Sequence, residues 1–262
     1  MPPSKKPVAP KAAKAAKSKP RMSLAAAMSA LEEAGTEQAR KTYRRHGAKD
    51  PMFGVSFAVM KTLVKRIGVD HELALELWDT GNHDARMLAV KIADPAQMTS
   101  EQLDLWSDEY TATRMCGGYV PMLAAEGPLG VAKCADWLGG TRRGAGWVLT
   151  GYLASIDETR PDTPFLDRLA EIERTIHSAP NGERDAMNGA LIQIGGRNAT
   201  LRKAALAAAS RIGKVEVDHG DTECKTPDAA ASIEKAWAHA TSKGFASPAA
   251  QERAREPIRK RC

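Results

Sequence analysis

Aromatic side chains are scarce in this 262-residue chain, at 5%, and no stretch alternates long enough to read as a sustained strand. No apolar run approaches the ~18 residues that a membrane span needs. The N-terminus is basic but has no apolar core behind it, which argues against a secretory signal. The four cysteines (Cys116, Cys134, Cys224 and Cys262) lie far apart without a CxxC pair. They argue against a disulfide framework and suggest a reducing, cytoplasmic setting. HExxH, GxSxG and phosphate-loop motifs are missing, which removes the commonest hydrolase and nucleotide-binding readings. The glycine-rich stretch GGTRRGAG at 139–146 follows no strand, so it is weak as a dinucleotide loop.

The folded part also lacks surplus charge, although the net charge is +6. Residues 1–21 hold six lysines and Arg21 but no acid, seven of the 38 basic residues, so residues 22–262 carry 31 bases against 32 acids. Any cationic surface on the body must therefore come from arrangement rather than excess. Residues 1–21 cannot bury enough apolar surface to order themselves and are expected to form a disordered Lys/Ala/Pro-rich tail. Such arms bind polyanions through counterion release; a plain solubilising extension is the alternative.

What remains has a helical period almost throughout. Phe57, Met60, Leu63, Val64 and Ile67 form one apolar stripe; Met187, Ala190, Leu191 and Ile194 form another. Short polar residues at Ser56, Asn82, Ser100, Thr141 and Asn198 are placed to cap helices, and glycines such as Gly68, Gly81 and Gly213 to stop them. Thr226 before Pro227 is placed to cap a last helix over 227–242. Short antiparallel pairs that cannot each close a core can stack. The fold class expected is thus all-α, an α-solenoid over residues 22–242, with an irregular bundle as the alternative. Residues 243–262, rich in arginine, are expected to be a partly disordered basic end.

Several residues could carry chemistry. Thr141, Arg142 and Arg143 at a helix start would offer free N–H groups and two guanidiniums to a phosphate. Arg114 and Arg184 are further candidates for DNA contact. Trp147 follows Arg143 by four positions and shares its helix face, although Trp147 and Trp106 suit core packing as well. The segment 215–228 holds Asp218, His219, Asp221, Glu223 and Cys224, but their spacing fits no standard metal pattern. Neither a metal nor a cofactor is expected.

FGVSFAVMKTLVKRIG (53–68), LALELWDTGNHDARMLAVKIADP (73–95), the helix at 142–155 and the stretch 177–231 together resemble the AlkD-like alkylpurine DNA glycosylases and the broader DNA alkylation repair family. The resemblance covers most of residues 22–240. It implies HEAT-like helical pairs in a C shape whose concave face cradles double-stranded DNA. Active relatives release cationic N3- and N7-alkylated purines, a hydrolase reaction. There a carboxylate steadies the oxocarbenium-like sugar, aromatic faces pack on the deoxyribose, and an arginine holds the backbone. Matched by position, the first aromatic falls on Thr113, the aspartate on Gly117 and the second aromatic on Gly189, while the arginine survives as Arg142 or Arg143. The resemblance therefore implies binding of alkylated, branched or otherwise abnormal DNA by a monomer at the nucleoid, with weak or absent excision. Two alternatives stay open. One is an active glycosylase that uses Asp108, Glu109 or Asp185 as its carboxylate; the other is a helical scaffold for protein partners.

Overall fold

Short polar caps decide where most helices of this chain begin. In the computed structural model, residues 21–112 and 118–261 are described. The expectations placed on Thr113, Arg114, Gly117 and the segment before Arg21 lie outside them. Among the described residues there are fourteen α-helices and no strand. They are α1 (Leu24–Glu33), α2 (Glu37–Arg45), α3 (Phe57–Ile67), α4 (His71–Asp79), α5 (His83–Ile92), α6 (Ser100–Ala112) and α7 (Val120–Glu126). Then come α8 (Gly130–Gly139), α9 (Arg143–Ile156), α10 (Thr163–Thr175), α11 (Asn181–Gly195), α12 (Ala199–Ile212), α13 (Ala229–Ser242) and α14 (Pro248–Arg253). A 3-10 turn, Ile258–Lys260, follows.

Ser56, Asn82 and Asn198 cap α3, α5 and α12 as expected, each accepting a backbone N–H of the first turn. Three expected caps differ. Thr99, not Ser100, caps α6, and Gln102 returns the bond to the Thr99 N–H at 2.8 Å, a reciprocal capping box. The N-cap position of α9 is Arg142, not Thr141, and no side chain caps it. Asp228 caps α13 by accepting from Ala231 at 2.7 Å, while Thr226 turns inward and accepts from Val217.

The two most family-like motifs serve the scaffold. Asp84, fully buried in the first turn of α5, accepts the backbone N–H groups of Phe53, Gly54 and Val55 at 2.7, 2.9 and 2.8 Å. Three charge-assisted bonds satisfy a carboxylate that would otherwise be costly to bury. They tie the segment before α3 onto α5. Trp78 of α4 stacks on Trp106 of α6 with centroids 4.1 Å apart and planes 8° from parallel, a geometry worth about 0.5–1.5 kcal/mol beyond area burial.

Helices pack as consecutive neighbours: α4 on α5, α6 on α7, α8 on α9, and α12 on both α11 and α13. The second helix of each pair contacts the next, giving a row α5–α7–α9–α11–α13. That is a solenoid-type stack rather than a closed bundle.

The C-terminal segment does not fray as the sequence suggests; it forms a strap across this row. The Ala249 N–H bonds Gly196 O, just past α11, at 3.0 Å. Arg253 donates to Ser155 O near the end of α9 at 3.2 Å and to Glu158 at 2.7 Å. Arg259, 1% exposed, donates to Val90 O and Lys91 O of α5 at 2.8 and 2.9 Å and to Glu126 of α7 at 2.8 Å. Carbonyls in the last turn of a helix have no partner within it, and an arginine fork supplies several donors at once. Stray positive charge thus becomes a fastener.

Candidate nucleic-acid interface

Because the strap meets α5, α7, α9 and α11 near their carboxyl ends, these four helices run in the same direction. The amino ends of α9 and α11 lie together away from the strap, whereas α7 has only seven residues and its N-cap Tyr119 lies against Lys91, which itself bonds the strap. The first turns of α9 and α11 are joined by Arg143 Nε and Glu183 Oε1 at 2.7 Å. The amino end of α5 is closed by the Asp84 bonds and by its cap Asn82. Those of α7, α9 and α11 carry no side-chain cap; their N-cap positions are Tyr119, Arg142 and Pro180. The adjacent amino ends of α9 and α11 therefore present first-turn N–H groups without a side-chain cap and the positive ends of their dipoles on one rim, which favours anions.

Arg142 reaches across to α6, where Nε and Nη2 bond Asp108 at 2.7 and 3.2 Å. The hydrogen bond to Asp108 raises the Arg142 pKa against a smaller desolvation effect. Arg143 donates to Glu183, to Glu171 of α10 at 3.1 Å and to Leu138 O. Burial alone would push the Glu171 carboxyl up, but hydrogen bonds from Arg143 and Arg168 hold it below the ordinary range. The guanidiniums on this rim are thus held in place by carboxylates. A phosphate must replace or share those partners.

The remaining sequence candidates divide clearly. Asp108 is more than half exposed and Glu109 pairs with Arg86 at 2.7 Å, so both lie in salt bridges on the α6 side. Asp185 is half-buried on α11, on the face of that helix shared with Gly182 and Gly189. A Cβ added at Gly182 or Gly189 would meet nothing within 4 Å, so this part of α11 presents bare backbone to open space. Thr141 is exposed at the approach to α9.

Two expected contacts are corrected by burial and bonding. Trp147 is fully buried and its Nε1 donates to Glu183 at 3.1 Å, so its ring packs in the core and cannot lie on a deoxyribose. Arg184 donates to the carbonyls of Ile176, His177, Ala179 and Glu216. Its donors hold the turn between α10 and α11, and through Glu216 the 215–228 segment, rather than facing a phosphate.

That segment is further held by Asn181, which exchanges two bonds with the backbone of Asp218 at 2.7 and 2.8 Å, and by Asn188 donating to Pro227 O at 2.9 Å. No group of three or more His, Cys, Asp or Glu side chains suited to a metal ion occurs among the described residues. The acids that set the arginine geometry, Glu183 and Glu171, were not singled out from the sequence. An acid in a first helical turn reads as ordinary dipole pairing, and the contact of Glu171 with Arg143 spans 28 residues.

Residues 27–121 match the family model of the DNA alkylation repair enzyme. Two uncharacterized proteins, from Listeria innocua and Listeria monocytogenes, are each 30% identical over 204 and 206 residues, covering 75% of this chain and 89% of each relative. A solved structure superposes with a TM-score of 0.75 at 29% identity, covering 86% of this chain and 96% of the other. It is described as belonging to a new family of proteins related to the HEAT-like repeat DNA glycosylases with affinity for branched DNA structures.

Proposed function

The chain belongs to the DNA alkylation repair enzyme family, and from that premise we propose that it binds branched or otherwise distorted DNA along the amino-terminal rim of α9 and α11, with weak or no base excision. The observation that carries this reading is the pair of adjacent uncapped helix amino ends, of α9 and α11, bearing Arg142 and Arg143. Backbone N–H groups and arginines are the common means of holding phosphate. The affinity named for the superposing relative supports branched DNA as the ligand class.

The same rim argues against a strong glycosylase. Departure of a cationic alkylpurine needs no protonation, but it needs a carboxylate and aromatic walls around the sugar. Gly189 stands where a second aromatic wall is implied by the resemblance, and the space beside it is open. Asp108 and Glu109 are engaged by arginines. A groove open at Gly182 and Gly189 suits a bulkier DNA form than a straight duplex. DNA binding also favours a nucleoid location, and the protein acts on this reading as a monomer. No helix among the described residues is long and apolar enough to cross a membrane.

The test pairs binding with chemistry. Affinities for a four-way junction and a linear duplex of equal length are measured beside release of N7-methylguanine and N3-methyladenine. The reading expects tighter junction binding and negligible release. Rapid release abolished by Asp185→Asn or Asp108→Asn would establish the enzyme reading instead.

A further inference from the structure

We propose that the C-terminal strap, anchored by Arg259, is a positioning element that fixes the setting of α5, α7, α9 and α11 and thereby decides which DNA shape the amino-terminal rim of α9 and α11 accepts. The inference rests on the DNA-binding reading of that rim. In a helical stack each unit touches mainly its neighbours, so the shape of the groove is the sum of small rotations between units. The strap escapes that rule. One segment of chain bonds the carboxyl ends of α5 and α7 through Arg259, of α9 through Arg253, and the residue after α11 through the Ala249 N–H.

The chemistry of the anchor points to geometry rather than plain adhesion. Arg259 is 1% exposed and pairs with Glu126. Lys91, fully buried, donates back to the strap's own backbone at Arg259 O and Arg261 O, at 2.7 and 3.1 Å. Burying two cations and a carboxylate is a poor way to gain stability, since apolar groups of similar size serve as well or better. Its best-attested return is a unique register. Between the anchors the strap bridges a cavity of about 480 Å³ walled by Met122, Tyr152, Ile156 and Ile192. Buried Ala249 and Gln251 pack the start of the strap onto the row, and the arginine bonds fix the rest.

The grip also extends along α7. The Lys91 ammonium lies 4.1 Å from the centre of the Tyr119 ring, a cation–π distance, and Tyr119 is the N-cap residue of α7. Through Arg259 on Glu126 and Lys91 on Tyr119, the strap thus grips both ends of the short α7.

The test compares wild type with Arg259→Met, which keeps apolar bulk and removes the donors. Junction and duplex affinities, helicity and the small-angle scattering profile are measured for both. The expected result is unchanged helicity, a junction-to-duplex preference reduced at least fivefold, and a shifted scattering profile. A folded variant with the wild-type preference and scattering profile overturns the proposal. If Arg259→Met fails to fold, Arg253→Ala releases the more accessible anchor at α9 and is read the same way. If wild type itself shows no preference for junctions, the DNA-shape reading of the rim fails. The strap's hold on the stack is then decided by scattering alone, and an unchanged profile overturns that too.

Discussion

Glu183 Oε1 receives hydrogen bonds from Arg143 Nε at 2.7 Å and Trp147 Nε1 at 3.1 Å, so one carboxylate fixes an arginine on the rim and a tryptophan in the core. With Glu171 on the other side, Arg143 is aimed but partly neutralised. Glu183→Gln keeps the shape of the side chain and removes its charge. Its expected effect is tighter, more salt-sensitive DNA binding, with a stability cost of about 1 kcal/mol. Titrations at several salt concentrations check this; weaker binding would mean that Glu183 positions Arg143 for phosphate and does not compete with it.

Arg142 and Asp108 form the second such pair. Asp108→Asn is expected to raise affinity for every DNA form alike, because it frees a guanidinium without touching base edges. Arg142→Ala is expected to lower affinity and to reduce the slope of log K against log salt by about 0.9, the value for one lost phosphate contact. Equal salt slopes for wild type and Arg142→Ala would remove Arg142 from the interface.

The glycines of α11 separate packing from exposure within one helix. A Cβ at Gly195 would stand 2.7 Å from Ile233 Cδ1 and 3.0 Å from Ala205 Cβ, whereas at Gly189 it would meet nothing. Gly195→Ala should therefore cost about 1–3 kcal/mol through overpacking. Gly189→Ala should gain up to about 1 kcal/mol from helix propensity. Urea denaturation of the two variants checks both signs, and a destabilising Gly189→Ala would show that the bare surface is under a constraint the fold does not reveal.

His83 carries a pH dependence. Buried at the start of α5, its imidazole is held below its ordinary pKa by desolvation first; Asp84 opposes this and Arg86 adds to it. The unfolded chain, with a histidine near pKa 6.5, then binds more protons than the folded one as pH falls. Stability from this group is complete above about pH 6.5 and is lost below it. Wild type should lose more melting temperature between pH 7.5 and pH 5.5 than His83→Asn does. Equal losses in the two proteins would assign the effect to other groups.

Much of the fold could be read from the chain because its signals are local. Ser56, Asn82 and Asn198 are caps that act within three residues, and the apolar stripes of α3 and α11 face the core. The strap was illegible because its meaning is long-range. Arg259 reads as a tail charge until Val90 and Glu126, 169 and 133 residues away, are brought to it. Likewise Trp147 and Arg184 carry the composition of a DNA contact. Only packing shows the first to be interior and the second committed to carbonyls. The residues themselves put Arg142 and Arg143 at a helix start, but the carboxylates that hold them are visible only in the fold.

The lysine-rich segment before Arg21 is proposed as a second, shape-blind source of affinity. Arg21 itself pairs with Asp70 of the α4 cap at 2.8 Å. Removal of the segment should weaken junction and duplex binding together and flatten the salt dependence, leaving their ratio unchanged. A selective loss of junction binding would give the segment a part in recognising shape.

The most direct measurement is the affinity of the Arg142→Ala/Arg143→Ala double variant for a four-way junction, beside wild type, at fixed salt and with helicity verified. Loss of at least tenfold in affinity is expected if the amino ends of α9 and α11 hold the phosphates. A folded double variant that binds the junction as tightly as wild type would contradict the account.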